Sequence, residues 1–234
     1  MQTRILLALL FTIGLLVPLA ALAQATAPDY TLLGAGVRSR PAFDGSDSQK
    51  TDLIPVVRYY GRPWFARTTQ GILEGGARTE LSPGVNVGAQ LAYEQGPRDR
   101  DAGASVGVHA EWDLKIGEAP VSLLARLRRH TDDDRGMQMD LRATAGVYAS
   151  GPLQLGVFAQ ASFGDDKYFR KFYAVSESGP LFGSVGMLGS YDLSRHWVLV
   201  GSLEGRRLTD DAMRSPIVER RRNYYASIGL AYRF

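Results

Sequence analysis

Tyr224-Tyr225-Ala226-Ser227-Ile228-Gly229-Leu230-Ala231-Tyr232-Arg233-Phe234 closes the chain and alternates along its whole length. Tyr224, Ala226, Ile228, Leu230, Tyr232 and Phe234 share one side, and Tyr225, Ser227, Gly229, Ala231 and Arg233 share the other. Successive side chains of a strand point to opposite faces, so this ribbon has one apolar face and one small or polar face. Aromatic rings stand at both ends of the apolar face, where the edges of a bilayer lie around a membrane-spanning strand. The segment has the pattern of a transmembrane β-barrel strand.

The same period of two recurs upstream. Val85, Val87, Ala89, Leu91 and Tyr93 alternate with polar or small residues, as do Val106, Val108, Ala110, Trp112 and Leu114. Further ribbons start at Met137 and Leu153. Segments of about ten residues match a tilted strand that crosses a bilayer. The connections alternate as well. Short turns fall at 60–62, 82–84, 115–119, 150–152 and 194–195, and longer polar stretches at 40–52, 95–103, 131–136, 164–180 and 209–217. Outer-membrane barrels keep short turns in the periplasm and long loops outside. The expected strands are 29–38, 53–60, 63–69, 71–81, 85–95, 104–114, 120–130, 137–149, 153–163, 181–193, 196–208 and 221–234. The fold class is therefore an all-β, closed antiparallel transmembrane barrel of about 12 strands. Its weakest step is 69–71, where merging the flanking pieces would lower the count.

The amino terminus agrees with export. Arg4 precedes an apolar run from Ile5 to Leu22 that carries Pro18 and ends in Ala21-Leu22-Ala23. A basic start, an apolar centre and an A-x-A exit make a secretory signal peptide. The competing reading is a transmembrane helix, but Pro18 and the small-residue exit favour cleavage. The expectation is a signal peptide over 1–23, cut between Ala23 and Gln24, and a barrel over 24–234. After Leu22 no run approaches the roughly 20 apolar residues a spanning helix needs. The formal net charge is +3, and Arg4 is the only charge in the leader, so +2 remains on the rest. That balance gives no argument for nucleic acid. Zero cysteines exclude disulfides and thiolate metal sites.

Parity places many charges on the inner face, among them Glu111, Arg126, Arg128, Asp140, Arg142, Glu204 and Arg206. Both signs are present in similar number, which reads as a solvated lumen crossed by ion pairs. A selective pore would gather one sign at a constriction. On this reading Arg142→Ala destabilises the barrel more than the lipid-facing Ala145→Val.

The search for chemistry yields little. Of three histidines, His109 is expected inside the wall beside Glu111, His196 at a periplasmic turn, and His130 at a strand mouth before Asp132-Asp133-Asp134. That last group is the one tempting cluster. Neighbouring loop charges are not a catalytic geometry, so His130 is read as a hydrated loop edge. No H-E-x-x-H, G-x-S-x-G or calcium-loop spacing occurs, and the catalytic, metal and cofactor assignments are empty. The longest loop is more suggestive. Asp165, Asp166, Tyr168, Phe169, Phe172 and Tyr173 mix aromatics with charge, too apolar for an idle solvent loop. They are expected to form a lid over the mouth or a surface for a partner.

Several short segments together resemble one family. Asp165-Asp-Lys-Tyr168 running into Phe172-Tyr-Ala-Val-Ser176 is similar to the D-x-x-Y…Y-F-G-V-S segment of the MipA/OmpV family. Phe43-Asp-Gly-Ser-Asp47, Leu193-Ser-Arg-His-Trp197, Ser215-Pro-Ile-Val-Glu219 and Gly229-Leu-Ala-Tyr-Arg-Phe234 resemble other family segments, in the right order. Phe172-Tyr173-Ala174 departs from the family's Tyr-Phe-Gly. The resemblance implies a barrel surrounded by outer-membrane lipid and lipopolysaccharide. It implies a scaffold that recruits a lytic murein transglycosylase together with a penicillin-binding protein. Ile228, Leu230, Tyr232 and Phe234 look like the signal read by the barrel-assembly machinery. The expected function is non-enzymatic scaffolding, with a passive or selective small-solute pore as the alternative.

Overall fold

The computed structural model describes residues 30–94 and 103–234. The expected leader, with Ala23 and Gln24, lies outside the described residues, as does most of the 95–103 connection. Twelve strands follow one another: β1 (Leu32–Pro41), β2 (Gln49–Tyr60), β3 (Trp64–Thr69), β4 (Ile72–Ser82), β5 (Val85–Glu94), β6 (Gly103–Ile116), β7 (Ala119–His130), β8 (Met137–Ser150), β9 (Leu153–Gly164), β10 (Gly179–Asp192), β11 (Trp197–Leu208) and β12 (Arg222–Arg233). Two short helices, α1 (Asp166–Tyr173) and α2 (Asp210–Met213), sit in the last two long connections. Each strand pairs antiparallel with its chain neighbours, and β1 pairs with β12, so the sheet closes and every strand has two neighbours. No helix among the described residues is long and apolar enough to cross a membrane.

The β1–β12 pairing leaves neither terminal strand with a free edge, which lipid would penalise because backbone N–H and C=O groups there need partners. The pleat does the rest. In β12, Tyr224, Ile228 and Leu230 are exposed on the outside while Asn223 and Ala231 are buried inside. The β1–β12 seam is tight. A Cβ at Gly34 would lie 2.0 Å from the Leu230 carbonyl oxygen, and one at Gly36 2.5 Å from that of Ile228. Glycine is required there by close approach of the two backbones.

One boundary differs from the sequence reading, and its weakest step holds. The β1–β2 ladder continues through Arg40↔Lys50 to Pro41↔Gln49, into residues read as loop. Those polar side chains belong to the inner face, and pairing does not stop where polarity rises. The doubtful step at 69–71 is a real turn. Gln70 and Gly71 both have positive φ, 52° and 80°, the two-residue geometry that joins twisted strands most tightly. This turn lies on the long-loop end of the barrel yet holds only two residues, and β3 has only six.

Candidate functional site

Side chains occupy the inside of the barrel at three levels. At the end that carries both termini, Leu32, Val198 and Ala231 form a buried apolar cluster with Tyr30, Val56 and Val200 packed on it. Arg58 and Arg233 approach the Tyr30 ring at 5.3 and 4.1 Å. These residues lie on or just before β1, β2, β11 and β12, so this apolar floor covers one side of the lumen, while Asp113 on the other side of the same end is exposed.

Above the floor runs an ionic layer. Arg67 of β3 donates to Glu74 of β4 at 3.2 Å and to Glu111 of β6 at 3.1 Å. Arg126 of β7 bonds the other Glu74 oxygen and reaches Asp140 of β8 at 2.8 Å. Arg128 donates to Glu94 of β5 at 3.3 Å and to Gln138 at 2.9 Å, and Ser162 of β9 donates to Asp140. Glu74 is 0% exposed. On the opposite wall Arg206 bonds Glu204 and Asp44, with its guanidinium 3.8 Å from the Phe182 ring centre. Gln70 joins the walls: its side chain donates to Glu204 at 2.8 Å, and its carbonyl accepts from Arg38 at 2.7 Å. Charges in so dry a place persist only when paired and hydrogen-bonded, and loss of one partner costs more than the pair contributes.

Helix α1 is the roof. The Asp165 side chain accepts from the Tyr168 N–H at 2.8 Å, and Ala174 ends the helix in the left-handed region at φ 56°. Side chains four apart share a helical face, so Phe169 and Tyr173 turn together into a buried cluster with Leu181, Phe182, Leu208 and Ala212. Tyr168 and Phe172, their ring centres 4.5 Å apart, lie over His130 at 5.9 and 5.8 Å. Lys171 clasps Asp134 at 2.6 Å, Lys167 donates to the Asp133 carbonyl at 3.3 Å, and Ser215 donates to the Tyr173 carbonyl. The hydrogen bond from Lys171 holds the Asp134 carboxyl below its usual range, and that from Arg170 does the same for Asp166. Between roof and ionic layer remains a chamber of about 140 Å³.

Glu111, Arg126, Arg128 and Asp140 thus meet in one network, and Glu204 with Arg206 in another. Arg142 joins neither among the described residues. It donates to Thr144 at 3.3 Å and lies 3.9 Å from the Phe158 ring centre. His130 is not a hydrated loop edge. It is buried beside Glu94 at 3.5 Å and covered by α1, because its parity on β7 is inward and the roof excludes water. Asp166 stays outside, paired with Arg170 at 2.7 Å. Ile228 and Leu230 face outward, while Tyr232 packs with His196, Trp197 and Phe234 at 5.5, 5.4 and 4.9 Å. Sequence reasoning missed Arg67, Arg38, Arg40 and Asp44, although Arg67 follows Phe65 at the inward spacing. It also missed α1, for which the Asp165 cap and the two aromatic i,i+4 pairs were a usable signal. No group of three His, Asp or Glu that could hold a metal ion occurs among the described residues.

A closed 12-stranded wall, apolar outside and ionic within, defines an outer-membrane β-barrel. More particularly, the chain belongs to the MipA family, matching the model of the MltA-interacting protein MipA over residues 33–234. The fold is similar to that of an outer membrane channel from Pseudomonas putida F1, with TM-score 0.56 and 12% identity over 92% of this chain and 100% of the other. It is also similar to the NanC porin, with TM-score 0.53 and 14% identity over 86% and 98% of the two chains. No curated protein sequence matches it.

Proposed function

We propose that this barrel is a non-enzymatic outer-membrane scaffold that recruits a periplasmic murein-remodelling enzyme, a lytic transglycosylase acting with a penicillin-binding protein. The observation that carries the reading is the lumen crossed by buried ion pairs beneath a helix. Arg126, Glu74, Asp140 and Arg67 interlock across it, with an apolar floor below and a helix above. A barrel so closed is better suited to holding than to passing solutes. The family's name, MltA-interacting protein, supports a murein-enzyme partner. The docking surfaces are the short turns facing the periplasm, chiefly 117–118 between β6 and β7 and 193–196 between β10 and β11. Arg195 and His196 supply exposed polar groups there. The mature chain is produced by removal of 1–23, and its closing Ile228, Leu230, Tyr232 and Phe234 engage the assembly machinery.

The test is affinity capture with the folded barrel in detergent and a periplasmic extract. Recovery of a lytic transglycosylase, weakened by exchanging 193–196 for a Gly-Ser turn, is expected. Recovery of no murein enzyme overturns the scaffold reading.

A further inference from the structure

The barrel wall has a gap between β2 and β3. β1 pairs with β2 over ten residue pairs, from Leu32↔Arg58 to Pro41↔Gln49, but β2 pairs with β3 over only three, Arg58↔Arg67 to Tyr60↔Phe65. β3 ends at Thr69 and the chain turns back at once through Gln70-Gly71. The β2 residues from Gln49 to Val57 therefore have a strand partner on one side only, among the described residues. The stretch lies in the half of the wall that borders the outer leaflet, since the termini mark the periplasmic end. Its sequence suits an edge. Pro55 has no N–H to leave unpaired, and proline inside sheets is confined to such edges. Leu53, on the outer face of the same stretch, is 77% exposed.

The chamber adjoins this gap at its lower end. Gln70, Gly71 and Ile72, the lower lip of the notch, line it together with Arg38 and Arg40. Tyr168, Phe172 and Tyr173 close it above, and Arg126 with Asp140 closes it below. Five arginines and three carboxylates face the space. Arg38 is buried, spends one N–H on the Gln70 carbonyl and another on Asp52 at 3.4 Å, and its Nε has no partner. A buried guanidinium nitrogen without an acceptor is a costly arrangement that an anion would relieve.

We propose that this notch and chamber form a lateral binding site for a single-chain anionic amphiphile taken from the outer leaflet. Its carboxylate seats against Arg38, and its acyl tail leaves through the gap past Ile72 and the β2 edge. The source is the membrane, because the roof and the ionic layer close the two aqueous routes. A carboxylate in the chamber would satisfy the Arg38 Nε donor. A tail in the notch would cover the apolar edge residues while remaining in hydrocarbon. Arg38 and the Gln70-Gly71 turn act as the positioning elements. Gly71 is held to glycine by its φ of 80°.

The experiment places the folded barrel in phosphatidylcholine nanodiscs with 11-(dansylamino)undecanoate as the fluorescent probe. Palmitate is expected to displace it, hexadecanol at least about tenfold less well, and acetate not at all, since only the first carries both charge and tail. Arg38→Gln is expected to weaken palmitate about tenfold or more, with Arg38→Lys retaining most of the affinity. A fatty acid with a photoreactive group beside its carboxylate should label 38–40 or 70–72 in the unaltered protein, a readout that stands even if Arg38→Gln fails to fold. Equal displacement by palmitate and hexadecanol overturns the proposal. So does competition by acetate at palmitate's concentration, labelling confined to other strands, or unchanged affinity in a folded Arg38→Gln barrel.

Discussion

Glu74 shows what a single inward position does in this barrel. Wholly buried, it accepts from Arg67 on the neighbouring β3 and from Arg126 on β7, three strands away in the wall. Glu74→Ala leaves two guanidiniums without that acceptor, and breaking a buried pair in this way costs about 3–5 kcal/mol. Urea unfolding in detergent should therefore show a clearly lower midpoint. Arg142 makes the contrast. It bonds a threonine hydroxyl and rests on Phe158, so Arg142→Ala should cost only about 0.5–2 kcal/mol, the range of a cation–π contact. Equal losses in the two variants would contradict the pairing described for Glu74. Parity along β7 and β8 made Arg126, Arg128, Asp140 and Arg142 legible as inward residues, but inwardness alone does not name partners. Arg142 and Asp140 are two residues apart on one strand, and only one of them faces an opposing charge. Partners depend on which strands face each other across the lumen, which a linear pattern does not carry.

Elements add two devices the alternation could not reveal. One is the β1–β12 seam, where Gly34 sits against the Leu230 carbonyl. Gly34→Val would drive its side chain into that backbone, so the heat-resistant compact band of the folded barrel on a denaturing gel should be lost. A variant that still closes would show that the seam has room. The other device is the clasp on α1. Asp134 and Asp166 are held below the usual carboxylate range by Lys171 and Arg170. A depressed carboxyl contributes fully above its unfolded value of about 4 and loses that contribution as pH falls through the folded one. Because the chain has no cysteine, Ser176→Cys offers a unique site for a spin label. Its mobility should rise between pH 5 and pH 3, and Lys171→Ala should make it mobile already at pH 5. The eight-residue α1 was legible as an apolar loop and not as a helix. Two turns are too few for a periodic signal to stand out from a short aromatic cluster.

At the scale of the whole molecule, strand number, closure and the short-turn end followed from the sequence because lipid imposes one rule on every residue of the wall. What fills the lumen did not follow, since side chains meeting across a barrel come from positions as distant as Gln70 and Glu204. That filling carries the last prediction. With an apolar floor, an ionic layer and a helical roof, the unaltered barrel should pass no steady current in planar bilayers. Replacing Glu74 and Arg126 together with alanine takes one anion and one cation from the ionic layer and strands neither neighbour, because Arg67 keeps Glu111 and Asp140 keeps Arg128. The vacated space lies between the chamber and the floor cluster of Leu32, Val198 and Ala231. The remaining pairs of Arg67 with Glu111 and of Arg128 with Glu94 and Asp140 should therefore still limit flow in the double variant, and its combination with Val198→Ser, which wets the apolar side, should give the larger conductance. Steady current through the unaltered protein would mean that the levels open in a membrane, and would favour transport over scaffolding. Silence in the triple variant would place the barrier in the roof, where removal of 166–173 is the next discriminating change.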